Sequence, residues 1–405
     1  MLTNFLTEYL VLQILLAMGI ALVVSFIATP PVKWFAQRVG AMDVPKDNRR
    51  VHKEPIPRLG GLAIFIGFVL SVALFAEIDR ELQGILIGSV LIVFVGVVDD
   101  IFPLRAWQKF LAQIVAASVV VWHGVTIDWI GNPNIFSAYD YLNLGVLSIP
   151  LTILWIVGIT NAVNLIDGLD GLAVGVSTIS SLTMLAVALI AAANGNVAIV
   201  FAALAGACLG FMPYNFNPAK IFMGDTGALL LGFLLSTMSI MGLFKFYALI
   251  SFVVPFMALA LPIADTTFAI LRRVVKGQNP MMPDRGHLHH RLLDFGFTHK
   301  QAVFFIYLIS GALGLFAVVL SSSGEMRLVF TFLTFVAIAT AVFLVFRQRP
   351  HKNGNGSKPE SEHTPDVLTD QPETPENILE APEHVPAESE DTPGSPEEGE
   401  SHGPD

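Results

Sequence analysis

A single cysteine, Cys208, in 405 residues excludes an intrachain disulfide and leaves the redox compartment unencoded. Charge is scarce as well. Only 14% of the residues are Asp, Glu, Lys or Arg, 54% are apolar, and the mean hydropathy is +0.65. That balance excludes an ordinary soluble domain. The apolar residues fall in runs of the length that crosses a bilayer. A basic leader is also missing: the first run follows Glu8, and no small-residue cleavage site comes after it. It is therefore read as a retained helix rather than a signal peptide.

The net charge of −10 averages two unlike parts. Fifteen of the 33 acidic residues lie in Glu360–Asp405, which holds no Lys or Arg, leaving 18 acids against 23 bases in the rest. The body is mildly basic. The tail, residues 348–405, is rich in Pro, Glu, Ser and Thr and buries too little apolar surface to offset chain entropy. A disordered acidic Pro-rich tail is predicted there, following a membrane domain over 1–347.

Apolar runs bounded by charge or turn residues predict an all-α, polytopic membrane protein of about eleven helices: 9–29, 60–76, 84–98, 108–122, 145–163, 172–192, 197–213, 227–243, 247–270, 301–320 and 327–346. Gly206 and Gly210, at GxxxG spacing, allow close helix approach. With the N-terminus outside, 20 of the 23 basic residues fall on inner connections, and only Arg80, Lys245 and Arg327 fall on outer ones. This asymmetry places the C-terminus in the cytoplasm. The same topology collects Asp99–Asp100, Asn164–Asp170, Asn215–Asp225 and the loop 272–300 on the cytoplasmic side.

Those four stretches carry chemistry. A carboxylate within a span costs at least ~2.5 kcal/mol on insertion scales, so their clustering needs a cause. In VVDDIFPLRAWQK, Asp99 and Asp100 end a span. Adjacent carboxylates invite a cation such as Mg²⁺, although a lone pair at a helix boundary also reads as a solvated end. In NAVNLIDGLDGLA, the residues Asn164, Asp167 and Asp170 are spaced i, i+3, i+6, which predicts one stripe along a helix; a capping cluster is the plainer alternative. In YNFNPAKIFMGDTGALLLGF, GDTG sits where a helix begins. Asp225 there would welcome a metal-bound phosphate rather than a bare one, and Phe222 could stack on a base or simply pack. In PDRGHLHHRLLDFG, His287, His289 and His290 stand with Arg285 and Arg291. Imidazoles alone would suit zinc, but guanidinium groups match phosphate. The first inner loop, DNRRVHKEPIPRLGG, adds cations that positive-inside topology also explains. Carboxylates for a divalent ion beside cationic clamps are the parts of phosphoryl transfer. Intramembrane acids, Asp265 above all, would alternatively mark a secondary transporter, whose polar residues belong near the midplane.

Together these motifs, in this order over roughly residues 30–295, resemble the polyprenyl-phosphate N-acetylhexosamine-1-phosphate transferase family of glycosyltransferase 4 type. The resemblance implies a multi-pass enzyme of the bacterial plasma (inner) membrane with a cytoplasmic active site. It implies transfer of N-acetylglucosamine-1-phosphate from UDP-GlcNAc to undecaprenyl phosphate, releasing UMP, as the first membrane step of a cell-envelope glycan such as teichoic acid or O-antigen. The branch of undecaprenyl-phosphate N-acetylglucosaminyl 1-phosphate transferases fits better than phospho-N-acetylmuramoyl-pentapeptide transferase, because Leu288 interrupts the histidine run as HLHH. The cofactor implied is Mg²⁺, with Mn²⁺ as a substitute. The partners implied are a UDP-N-acetylhexosamine, a polyprenyl phosphate and membrane lipid, with no nucleic acid; a homodimer is compatible.

The family pattern carries roles onto matching positions. Asp225 is the expected main metal ligand, with Asp100 and Asn164. Asp99, Asp100, Asp225 and His289 are the expected catalytic residues, Asp99 orienting or deprotonating the lipid phosphate. Asn164, Asp167 and Asp170 line the nucleotide end, and Phe222 packs on uracil. His287, His290, Arg285 and Arg291 contact the diphosphate or sugar, and Lys53 and Lys109 contact phosphate. A single displacement is expected, a covalent aspartyl route being the alternative.

Overall fold

The computed structural model describes residues 2–44, 55–131, 141–190, 195–242, 255–275, 277, 287–322, 329–334, 336–338 and 340. Lys53, Arg285 and the tail 348–405 lie outside them. The described chain is overwhelmingly helical. Its principal helices are α1 (Leu2–Val39), α2 (Gly60–Phe75), α3 (Arg80–Ile101), α4 (Ala106–Trp122), α5 (Ser148–Ile166) and α6 (Leu172–Ile190). They continue with α7 (Gly195–Asn215), α8 (Gly224–Gly242), α9 (Ala260–Val275), α10 (Leu288–Asp294) and α11 (His299–Ser321). Two short antiparallel ladders accompany them: β1 (Met42–Asp43) with β2 (Ile56–Pro57), and β3 (Trp129–Gly131) with β4 (Tyr141–Asn143).

Seven helices among the described residues are long and apolar enough to cross a membrane. Gly60–Phe75, Ala106–Trp122 and Val329–Ile338 are shorter apolar helices. The predicted run 247–270 corresponds in its described part to α9, which starts later and continues to Val275. It is the most amphipathic element, with Arg272 and Arg273 in its last turn.

Helix α8 is the axis of the bundle. Every residue of it is buried except Asp225, as expected of a helix apolar all round. Small residues let its neighbours approach. Gly232 faces the backbone of Thr160 on α5, Gly61 of α2 lies against Gly227, and Gly96 of α3 lies against Thr226. A Cβ at Gly96 would sit 2.4 Å from the Thr226 Cα. The GxxxG pair works the same way elsewhere: Gly206 and Gly210 of α7 rest on the Met18 and Leu22 carbonyls of α1. Ser71 of α2 donates to the Ala17 carbonyl at 2.7 Å, tying α1 to α2. The consequence for function is that the α2 and α3 backbones pack directly against the first turn of α8.

Candidate active site

The C-terminal ends of α3, α5 and α7 meet the N-terminal ends of α2, α4 and α8. Asp225, the one residue of α8 that is not buried, sits at this junction. Lys109 Nζ of α4 donates to its Oδ2 at 2.6 Å and to Asp99 Oδ2 at 3.0 Å, so one ammonium bridges two carboxylates. Asn164 Nδ2 of α5 donates to Asp225 Oδ1 at 3.1 Å. Asp99 Oδ1 accepts from the Leu104 backbone N–H at 2.7 Å. Gln113, one turn along α4 from Lys109, pairs with Asn161, one turn before Asn164, extending the polar seam between α4 and α5.

Asp100 has a different role from its neighbour. Its side chain is 1% exposed. Its Oδ1 accepts from Asp225 N at 3.0 Å, and its Oδ2 accepts from Thr226 N at 3.0 Å and Thr226 Oγ1 at 2.7 Å. It caps α8 from another helix, satisfying N–H groups the helix leaves unpaired. Gly224, at φ +71, makes room: a Cβ there would lie 2.3 Å from Asp100 Oδ2. Both Asp100 oxygens thus accept from the first turn of α8, and the carboxylate positions Asp225. Asp100→Ala should leave these donors unpaired, at a cost of about 2–3 kcal/mol. A lowered thermal midpoint of the purified protein, together with reduced turnover, checks this.

The stripe expected of Asn164, Asp167 and Asp170 does not form. Helix α5 ends at Ile166, and Asp167–Gly171 is a turn, with Gly171 at φ +80. Asp170 Oδ2 accepts from Asn217 Nδ2 at 2.9 Å and Ala219 N at 3.1 Å, while Asn215 Oδ1 accepts from Gly171 N at 3.1 Å. Tyr307 of α11 donates to the Gly171 carbonyl. The turn is therefore anchored from three sides. Asp167 is half-buried and lines the cavity described below. Burial raises the Asp167 carboxyl to about 7, with repulsion from Asp225 adding to it and Arg58 opposing it.

The histidines divide their work. Asp265 of α9 accepts from His287 Nδ1 at 2.9 Å and from Leu288 N at 2.8 Å. It fixes the start of α10, which accounts for this deep carboxylate without an ion pathway. His289 stacks parallel to His287, with centroids 5.9 Å apart, and its ring fills the space over Gly168. Burial lowers His289 to about 4, and His290 adds to the effect, so the imidazole is neutral near pH 7.

A cavity of about 420 Å³ opens at this junction. It is lined by Asn164, Asp167, Asp170, Asp225, Phe222 and His290, and also by Asp43, Arg58, Leu293 and His299. Six sequence-predicted site residues are brought together there. Asp99 and Lys109 stand behind Asp225, and Asp100 beneath it. His287 and His289 buttress the wall, and Arg291 is exposed outside it. Asp43, Arg58 and His299 lie outside the expected set. Arg58 sits in the ordered stretch PIPRLGG, and its charge merges with the positive-inside pattern; nothing local marks Asp43 or His299.

A sequence profile of glycosyl transferase family 4 matches residues 82–243. A Bacillus subtilis (strain 168) protein named "Probable undecaprenyl-phosphate N-acetylglucosaminyl 1-phosphate transferase" is 43% identical over 337 residues, 82% of this chain and 92% of the relative. The chain belongs to this family. The transferase is also 37% identical over 359 residues to the decaprenyl-phosphate N-acetylglucosaminephosphotransferase of Mycolicibacterium smegmatis, covering 82% of this chain and 88% of that one. The phospho-N-acetylmuramoyl-pentapeptide-transferase of Desulfitobacterium hafniense is more distant, 32% identical over 54% of this transferase and 73% of its own length. The profile begins at residue 82, so the PIPRLGG segment and the histidine loop lie beyond it.

Proposed function

We propose that this transferase moves N-acetylglucosamine-1-phosphate from UDP-N-acetylglucosamine to undecaprenyl phosphate, releasing UMP, and so begins a cell-envelope glycan of the teichoic acid or O-antigen kind. The observation that carries the reading is one cavity in which carboxylates, a carboxamide, an aromatic ring, a histidine and a guanidinium converge beside a bridged Asp99–Lys109–Asp225 triad. The GlcNAc-transferring relatives, with higher identity and coverage than the pentapeptide-transferring one, support the choice of sugar.

The residues fit a divalent cation. Mg²⁺ takes one or two carboxylates and leaves its other positions to water and substrate phosphates. No cluster of three or more His, Cys, Asp or Glu ligands is preformed among the described residues, whereas Asp225, Asn164 and Asp167 face one space. Lys109 already places one cation against Asp225. Asp225 and Asn164 would hold the ion, with Asp167 beside it, and Mn²⁺ could substitute. When bound, Mg²⁺ neutralises charge on the diphosphate and the departing UMP.

The chain's own residues orient the reactants. An oxygen of the lipid phosphate attacks the β-phosphorus of the UDP-sugar, and the bond to the bridging oxygen of UMP breaks. Asp99, held by Leu104 and Lys109, orients the acceptor phosphate. Phe222 packs on the uracil ring, and His290 reaches the diphosphate or sugar. Asp100 and Asp265 hold the parts in place. In the membrane we propose eleven spans, the tail and site cytoplasmic. The junction of helix ends coincides with the connections that carry most of the Lys and Arg, which supports this orientation.

The purified protein, given UDP-GlcNAc, UDP-GalNAc and UDP-MurNAc-pentapeptide in separate reactions, should release UMP fastest with UDP-GlcNAc, and only with undecaprenyl phosphate and Mg²⁺. Fastest release with the pentapeptide nucleotide would move the function to peptidoglycan synthesis. No release with any of them would overturn a transferase reading and return the carrier alternative.

A further inference from the structure

The cavity wall carries a cation whose role is unassigned. We propose that Arg58 is a phosphate ligand of this site, its guanidinium hydrogen-bonding phosphoryl oxygens of the nucleotide-sugar diphosphate or of the lipid phosphate. The inference rests on the transferase reading and adds a residue to it.

Three observations carry it. First, Arg58 is the one Lys or Arg lining the cavity among the described residues. Lys109, the other cation nearby, is committed between Asp99 and Asp225. Four carboxylates, Asp43, Asp167, Asp170 and Asp225, also line the space. An anionic substrate needs a fixed positive group there, and guanidinium offers a planar fork that matches phosphoryl oxygens.

Second, one guanidinium donor makes no hydrogen bond among the described residues. Arg58 Nε is enclosed yet makes no hydrogen bond. Its nearest carboxylate oxygen, Asp100 Oδ1, is 3.8 Å away, beyond hydrogen-bond reach, and Asp100 already accepts from three donors of α8. The side chain is 39% exposed, so its head reaches open space. An enclosed donor left unpaired is destabilising, which points to a partner that arrives with the substrate.

Third, the backbone is strained where Arg58 is presented. Leu59 is fully buried and adopts φ 93, ψ 9, a left-handed conformation uncommon outside glycine. Such outliers persist only where the surroundings enforce them, and they concentrate at ligand sites. Here the surroundings do enforce it. Arg58 N donates to the Ala41 carbonyl at 2.9 Å, Gly60 N to the Phe222 carbonyl at 3.0 Å, Gly61 N to the Met223 carbonyl at 2.9 Å, and Phe222 N to the Pro57 carbonyl at 2.8 Å. The segment that holds Arg58 is thereby stitched to the segment that carries Phe222 and leads into Asp225. Arg58 is preorganised relative to both.

Full-length Arg58→Gln and Arg58→Lys should be compared with wild type in detergent, with KM measured separately for UDP-GlcNAc and undecaprenyl phosphate. Arg58→Gln is expected to raise one KM by about tenfold or more, and Arg58→Lys to restore only part of it, because an ammonium lacks the fork. A shift on the nucleotide arm assigns the diphosphate, and a shift on the lipid arm assigns the acceptor phosphate. As a second readout, the advantage of UMP over uridine as an inhibitor should shrink in Arg58→Gln if the nucleotide phosphate is the ligand. Both KM values within twofold of wild type, in a variant with unchanged thermal midpoint, would overturn the proposal, as would a fall in kcat alone. Should Arg58→Gln fail to fold, a folded Arg58→Lys with both wild-type KM values overturns it equally. Wild-type protein that releases no UMP would instead sink the transferase reading itself.

Discussion

Asp225→Asn is expected to abolish UMP release, lowering turnover by about 10³-fold or more even in excess Mg²⁺, while the protein still folds. The change keeps the shape of the side chain, and the carboxamide oxygen can still accept from Lys109 or Asn164. What it removes is the charge at the one residue of α8 that is not buried, on the cavity wall. Charge fixed against a transferring phosphoryl group is worth several kcal/mol in a water-poor site, which sets the magnitude. Helix α8 should remain in place, because Asp100 caps it through the backbone of residue 225 and through Thr226, neither of which the substitution touches. Turnover by UMP release, with a thermal midpoint beside it, checks both halves. Near-normal activity would remove Asp225 from the proposed metal site.

Lys109→Met should lower kcat/KM by about 10²- to 10³-fold, for a different reason. Lys109 reaches Asp99 at 3.0 Å and Asp225 at 2.6 Å. Without it, two half-buried carboxylates face one another with no cation between them, and one of them tends to take up a proton. The expectation that Lys109 contacts phosphate is thereby refined: in the protein alone, its ammonium is shared by two aspartates. A double-mutant cycle separates the roles. If neutralisation is the main function, adding Asp99→Asn to Lys109→Met should recover part of the loss in nucleotide binding, although not the acceptor step proposed for Asp99. Additive losses would instead mean that Lys109 acts on substrate directly. Lys109→Arg keeps the charge but not the compact geometry, and should fall between.

The legible and illegible parts of the site differ in physical kind. Asp225 was legible because GDTG marks a helix start at which a carboxylate is conspicuous. Phe222, Asn164 and His290 were legible from their motifs. Asp100 and Asp170 were named with them, but their oxygens point to the backbone and side chains of α8 and of the loop 217–219. Spacing cannot show which way a carboxylate faces. The helical stripe over 164–170 failed because Gly168 and Gly171 let the chain turn after Ile166. Periodicity assumes a helix that the glycines end. Arg58 was hidden for the opposite reason: its charge had a sufficient explanation in topology, and only its place on the cavity wall distinguishes it.

By itself the sequence determined that the chain is a helical membrane protein whose polar residues gather at shared helix ends, because apolar runs and the distribution of charge are one-dimensional properties that burial and insertion read directly. Tertiary structure alone decided which carboxylates face the cavity and which hold the frame. Lys109 finds Asp225 across 116 residues, and Thr226 finds Asp100 across 126. Such long-range pairs exist only after small residues on α2, α3 and α8 itself have let α2, α3 and α5 close on α8.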